Sequence, residues 1–238
     1  PARDYNFNNI LASHEFEHER LSVLYRMMKN DSFTVVSTPA AAFQLTMPPE
    51  KLAVRTIRLD RNSPIDTDEL AIRLNGAGYR RCDMVESCGQ FALRGGIVDI
   101  YAPSMHPVRI ELFGDEVDRM GYFSLESQRF TGEKTDSIEI PPTLEVILGD
   151  EERRILRESV TRQISRVKGS AAEQTLRAEL DALENSQDVN FADKYLPLIF
   201  SEGCCLTDYA DEIIVVSDGA CRERADAAFT LCDCSISD

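Results

Sequence analysis

No apolar run in this 238-residue sequence approaches the roughly 18 to 20 residues that a bilayer-crossing helix needs. The opening residues, PARDYNF, also lack the basic-then-apolar order of a signal peptide. The expectation is a soluble, cytoplasmic chain with no membrane partner. Positive charge is scarce: 26 lysines and arginines face 41 aspartates and glutamates, for a net charge of −15. Such a balance repels phosphate backbones and argues against strong sequence-independent DNA binding, while leaving room for a local basic patch. Cysteine occurs seven times, at Cys82, Cys88, Cys204, Cys205, Cys221, Cys232 and Cys234, without a single C-x-x-C pair. That removes the zinc ribbon and the thioredoxin-type site. An odd, irregular set in a chain this long is a poor disulfide framework, so reduced thiols are expected. What is present is ordinary globular composition, 43% hydrophobic and 28% charged, in a chain long enough for one large domain or two small ones.

Three motifs begin and do not finish. HEFEH, residues 14–18, reads as H-E-x-x-H, in which His14 and His18 share a helix face and Glu15 polarises a metal-bound water. A zinc hydrolase needs a third ligand, but the positions a metzincin would use hold Leu21 and Leu24, and His106 lies far along the chain. The alternative is a helix face that packs or is solvated. Gly132-Glu133-Lys134-Thr135 looks like the end of a P-loop, yet the first glycine is replaced by Ser127 and no apolar strand precedes it. RIELFGDEVD looks like a strand ending in acidic magnesium ligands; with no phosphate cradle for them to serve, Gly114-Asp115 reads as a hairpin turn.

The texture of the chain changes twice, giving segments 1–50, 51–147 and 148–238. In the first, LASHEFEHERLSVLYRMMKND is helical, with Ser13 as N-cap and Asn30-Asp31 as stop; FTVVST (33–38) is a β-branched strand, and Pro39 opens a further helix. In the second, VRTIRL is a strand, Asp66 to Glu69 forms a capping box for ELAIRLNGAG, and Gly76 and Gly78 end that helix. Strand-like runs follow: CDMV, GQFALRGGIVDIY, VRIELFGDEVDRMGYFS and SIEIP. This is a compact, hairpin-rich α+β insertion. In the third, DEERRILRESVTRQISRVKG puts Ile155, Val160, Ile164 and Val167 near one stripe, a second helix follows Gly169-Ser170, and EIIVVSD (212–218) suggests a return to the first α/β layer.

The most informative stretch is GQFALRGGIVDIYAPSMHPVRIELFGDEVD. Alternation sends Ile110 and Leu112 to one face and Arg109, Glu111 and Phe113 to the other. A large aromatic beside an arginine on a face that should be solvated has the composition of an interface hot spot. Arg94 and Ala92 likewise point away from Phe91 and Leu93, and Gly95-Gly96 lets a second backbone come close. The competing reading is that Phe113 packs under a helix and the arginines pair with Glu111 and Asp99.

The runs GYRRCDMVESCGQFALRGGIVDIYAP and HPVRIELFGDEVDRMGYFSLESQRF resemble the UvrB-homology region of the bacterial transcription-repair coupling factors, and more loosely UvrB itself. The ordered pattern G-x-[FY]-x-x-R-G-G, D-I, P-x-R-I-E-L-F-x-D-E-[VI] and S-x-x-[ST]-Q-R carries the resemblance. PARDYNF, the ERLSVLYRM helix, IEIPP and YLPLIF also look like family features. The resemblance implies an α/β plus α+β fold: a helicase-like α/β domain 1 without ATPase function, truncated here, with domain 2 inserted in it. It implies that domain 2 binds UvrA, the damage-recognition ATPase of nucleotide excision repair, through Arg94, Arg109, Glu111 and Phe113. It further implies a non-catalytic piece with no cofactor, whose parent carries its motor, its RNA polymerase contact and its DNA contact elsewhere. A UvrB-like damaged-DNA-binding fragment is the alternative; UvrB's aromatic-rich hairpin is not evident between the first helix and FTVVST.

Overall fold

The computed structural model describes residues 15–29, 34–169, 171–185, 191–200, 203–210 and 212–217, with 220, 221 and 223. Ser13, His14 and the Asn30-Asp31 stop lie outside the described residues. Helices α1 (Glu15–Met28), α2 (Pro39–Phe43) and α3 (Pro49–Arg55) lead into strand β1 (Ile57–Asp60) and helix α4 (Thr67–Gly76). Strands β2 (Arg80–Arg81), β3 (Gln90–Arg94), β4 (Ile97–Tyr101), β5 (Val108–Phe113), β6 (Glu116–Phe123), β7 (Phe130–Lys134) and β8 (Ser137–Ile140) follow. Helices α5 (Asp150–Arg166), α6 (Ala171–Asn185) and the short α7 (Leu196–Ile199) come last.

Two large hydrophobic cores organise these elements, and a third, small cluster joins Val85, Ala92 and Phe123. The middle of the chain builds a six-stranded sheet in the order β2-β3-β4-β5-β6-β7, antiparallel except for the β2–β3 pair. One face of it carries Phe91, Val98, Ile100, Val108, Ile110 and Met120, which pack with Leu70, Ala71 and Leu74 of α4. The helix starts where the sequence says it should: the Asp66 carboxylate accepts from the backbone N–H groups of Asp68 and Glu69 at 2.9 and 3.0 Å, satisfying two of the four donors a helix leaves open. β1 and β8 pair antiparallel with each other, Ile57 opposite Ile140, so the chain enters and leaves this unit through one two-stranded ribbon.

The second core is helical. Leu21, Leu24 and Met27 of α1, Leu52 of α3, Leu156, Val160 and Ile164 of α5, and Leu183 of α6 share it with Phe191, Tyr195 and Leu196. On α5 the buried stripe is Glu152, Leu156, Val160 and Ile164 at strict i, i+4 spacing, so Leu156 takes the place expected for Ile155. Helix α1 serves both cores. Its apolar side enters the helical core, while His18 lies against Gly89, Ser22 accepts from the Ser104 hydroxyl at 2.8 Å, and the Tyr25 hydroxyl donates to Glu139 at 2.6 Å. Buried Arg20 completes the join: Nε bonds Glu145 at 2.9 Å, and the other two nitrogens bond the carbonyls of Ala41 and Gln44.

Three expected strands do not form. Residues 34–38 and 212–217 are irregular, with Val36 and Ile214 each 94% exposed, so the expected α/β layer is not built from them. Valine and isoleucine favour strands only where a neighbouring edge accepts their hydrogen bonds, and among the described residues no strand pairs with either segment. CDMV is not a strand either. Its Val85 is buried, and the segment after it is held by the Gln90 side-chain oxygen Oε1, which accepts from the N–H groups of Glu86 and Ser87 at 2.9 and 3.2 Å. In contrast, Gly132, Glu133 and Lys134 of the dismissed P-loop candidate lie in strand β7, with Thr135 just after it.

At Gly121 the sheet tolerates no side chain. A Cβ there would fall 2.3 Å from the carbonyl oxygen of Glu133 on β7. Gly121→Ala is therefore expected to cost about 1–3 kcal/mol by forcing β7 away, visible as a lower urea midpoint.

Candidate protein-docking site

The sheet face opposite α4 holds the four residues singled out from alternation. Antiparallel pairing aligns them in two rows across the strands. The inner row runs Ala92, Asp99, Arg109, Gly121, and the outer row Arg94, Ile97, Glu111, Arg119.

Asp99, fully buried, organises the inner row. Its carboxylate accepts from Arg109 Nε at 2.6 Å and Nη2 at 2.8 Å, and also from Arg94 Nη2. Arg109 Nη1 donates to the Gln128 carbonyl at 2.8 Å, and its guanidinium carbon sits 4.7 Å from the Phe123 ring centroid. The Asp99 hydrogen bonds hold the Arg109 guanidinium protonated above its already high range. This gives the S-x-x-[ST]-Q-R stretch a job. Ser124 and Arg129 close a loop through a 2.9 Å backbone bond, Ser124 Oγ accepts from Ser127 N–H, and Gln128, at φ 57°, turns its carbonyl to Arg109.

Arg94 differs from Arg109 in exposure. Its side chain is 40% exposed at the end of β3, while its inner edge is tied to Asp99. The β3–β4 turn beside it lies close to β5, as the glycine pair suggests: Leu112 N–H donates to Gly96 O at 2.7 Å, and a Cβ on Gly96 would meet Leu112 O at 2.6 Å. Phe113, the last residue of β5, is 84% exposed. It packs under no helix, contrary to the competing reading. The turn that follows it is anchored by the Ile65 N–H bond to Asp115 O at 2.7 Å.

Pairing of the arginines with Asp99 is found; pairing with Glu111 is not, because Glu111 is occupied by Arg119. Arg119 is the residue that sequence reasoning missed, and Asp99, expected only as a partner of the arginines, is their shared centre. Asp99 had a signal, an acid in an otherwise apolar strand flanked by two arginine-bearing ones. Arg119 had none, because a β-bulge breaks the alternation before it.

The His18 ring lies against Gly89, where a Cβ would approach its Cε1 to 2.8 Å, and His14 lies outside the described residues. Among the described residues no three His, Cys, Asp or Glu side chains gather to hold a metal, and no helix is long and apolar enough to cross a membrane. Burial pushes the Cys204 thiol up to about 12 and the Cys88 thiol up to about 11. Both are thiols at neutral pH. Iodoacetamide is expected to label Cys204 at least about tenfold more slowly in the native chain than in urea, read by peptide mass spectrometry.

Residues 57–145 match the model of the UvrB interaction domain. Along most of the chain the similarity is to transcription-repair-coupling factors: 32% identity to that of Bacillus subtilis over 89% of this chain and 19% of the relative. The corresponding protein of Myxococcus xanthus is 29% identical over 87% of this chain and 18% of its own length. That of Staphylococcus epidermidis reaches 44% over a shorter stretch, 37% of this chain and 7% of the relative. The chain carries a UvrB interaction domain and matches part of a transcription-repair-coupling factor. It spans about 19% of the Bacillus subtilis relative's length. Its UvrB interaction domain is the sheet unit entered through β1 and left after β8, and Asp99, Arg94, Arg109, Glu111 and Phe113 all lie within it.

Proposed function

We propose that this chain is a non-catalytic docking module that recruits UvrA to stalled RNA polymerase in transcription-coupled nucleotide excision repair. Arg94, Glu111 and Phe113 meet the partner, and Arg109 positions Arg94 from beneath through Asp99. The observation that carries the reading is an uncovered phenylalanine beside a pre-set arginine on an otherwise satisfied sheet face. A phenylalanine left in water at 84% exposure gives up about 1.5–3 kcal/mol that a partner pocket recovers. Arg94, already held on one edge, loses less rotamer freedom on binding than a free arginine.

In this reading the chain supplies no motor, cofactor or reaction of its own. DNA translocation and the contacts to RNA polymerase and DNA belong to other parts of the longer protein. A net charge of −15 favours a protein partner over nucleic acid as the direct contact of this piece.

The test is a titration of the chain against purified UvrA by calorimetry, with the Arg94→Ala/Phe113→Ala double variant alongside. Saturable binding by wild type that is lost in a folded double variant supports the reading. Absence of binding by wild type refutes it.

A further inference from the structure

Strand β4 turns three side chains to the docking face, Ile97, Asp99 and Tyr101, and the three have different surroundings. Tyr101 packs at the inner end against the small cluster of Val85, Ala92 and Phe123, while Asp99 holds the two arginines. Ile97 is left over. It is half-buried, and it joins none of the three apolar clusters of the described residues.

Register places its neighbours. In the outer row Ile97 stands between Arg94 of β3 and Glu111 of β5, two charged side chains already engaged, Arg94 by Asp99 and Glu111 by Arg119. Phe113 lies two residues beyond Glu111 on β5, which makes it the diagonal neighbour of Ile97 at a separation that large side chains bridge. At 84% exposure the phenyl ring does not close over Ile97. Nothing rises from the β3–β4 turn either: a Cβ on Gly95 would have no heavy atom within 4 Å beyond its chain neighbours. The result is a short, open apolar strip, with Phe113 upright at one end, Ile97 low at the other and Arg94 at its edge.

We propose that Ile97 is a contact and specificity residue of the docking face, the floor on which an aliphatic or aromatic side chain of the partner rests against Phe113. The proposal rests on the UvrA reading and names what UvrA brings to this place. Neither Ile97 nor Phe113 carries a charge or a hydrogen-bonding side chain, so the chemistry of the occupant follows from theirs. An apolar group removes water from both at once. A polar or charged group would be desolvated over a surface that offers it no hydrogen bond, which selects against partners that present one there. Arg94 then meets polar groups at the rim of the apolar contact.

The experiment is surface plasmon resonance of the chain against immobilised UvrA, using Ile97→Val, Ile97→Thr, Ile97→Ala and, as a reference, Phe113→Ala, with a urea melt of each variant. Valine and threonine share the branched shape that suits a strand and differ by a methyl exchanged for a hydroxyl, so the pair separates apolar contact from strand geometry. Ile97→Val should bind within about threefold of wild type, and Ile97→Thr at least about threefold more weakly than Ile97→Val. Ile97→Ala should bind about fivefold to tenfold more weakly than wild type, through faster dissociation. If Ile97→Val and Ile97→Thr bind alike, or Ile97→Ala matches wild type while Phe113→Ala still weakens binding, the apolar contact ends at Phe113 and the inference falls alone. Affinity losses that only follow losses in urea midpoint would assign Ile97 to the fold and overturn it as well. If wild type itself does not bind, the UvrA reading falls and takes the inference with it.

Discussion

Phe113→Ala should weaken UvrA binding at least about thirtyfold, about 2 kcal/mol, while leaving the denaturation midpoint of the chain unchanged. The two halves of this expectation come from one fact. A side chain that is 84% exposed contributes little to the fold, so its removal costs the free protein almost nothing. The same side chain buried in a partner pocket carries the full transfer free energy of a phenyl ring. Calorimetric affinity and a urea melt on one preparation check both. A variant that folds normally and binds as wild type does would remove Phe113 as the anchor, and the weight of recognition would pass to the charged rows.

The largest stability effect is expected at Asp99, one row in from the surface residue it supports. Asp99→Ala leaves the Arg109 guanidinium buried opposite a methyl group, and losing one partner of a buried, hydrogen-bonded pair costs about 3–5 kcal/mol. Arg94→Ala, by contrast, removes a half-exposed partner and leaves the Asp99–Arg109 pair intact, so its stability cost should stay within about 1 kcal/mol. Urea unfolding ranks the two. The double variant Asp99→Ala/Arg109→Met is the informative companion, because it removes the stranded charge as well as its partner. Recovery of stability in the double variant, with UvrA binding still impaired, would assign the buried pair to positioning Arg94. Equal loss in single and double variants would mean that the pair matters mainly through packing.

Local chemistry made much of the sheet unit readable in advance. The Asp66 cap, the Gly114-Asp115 turn and the inward face of β5 each depend on residues within a few positions of one another. Period and turn chemistry act at that range. The strands expected at 33–38 and 212–218 are the counterexample, since their β-branched residues describe a preference that only an adjoining edge can satisfy.

Within the docking face the division is sharper. Alternation alone put Arg94, Arg109, Glu111 and Phe113 on one side of the sheet, and no alternation pattern could have separated the two arginines. Arg109 is buried because Phe123 and the 124–129 loop, contributed by the far end of the next strand, close over it; Arg94 sits at a strand end where nothing does. Arg119 stands opposite Glu111 only because of a one-residue bulge, which has no signature in the hydrophobic pattern. Which residue types line the face therefore follows from the order of amino acids, through the twofold period of a strand. Which of them bear load within it, and which remain available to a partner, follows from strands and loops brought together from distant parts of the chain, because burial and ion pairing are properties of neighbours in space.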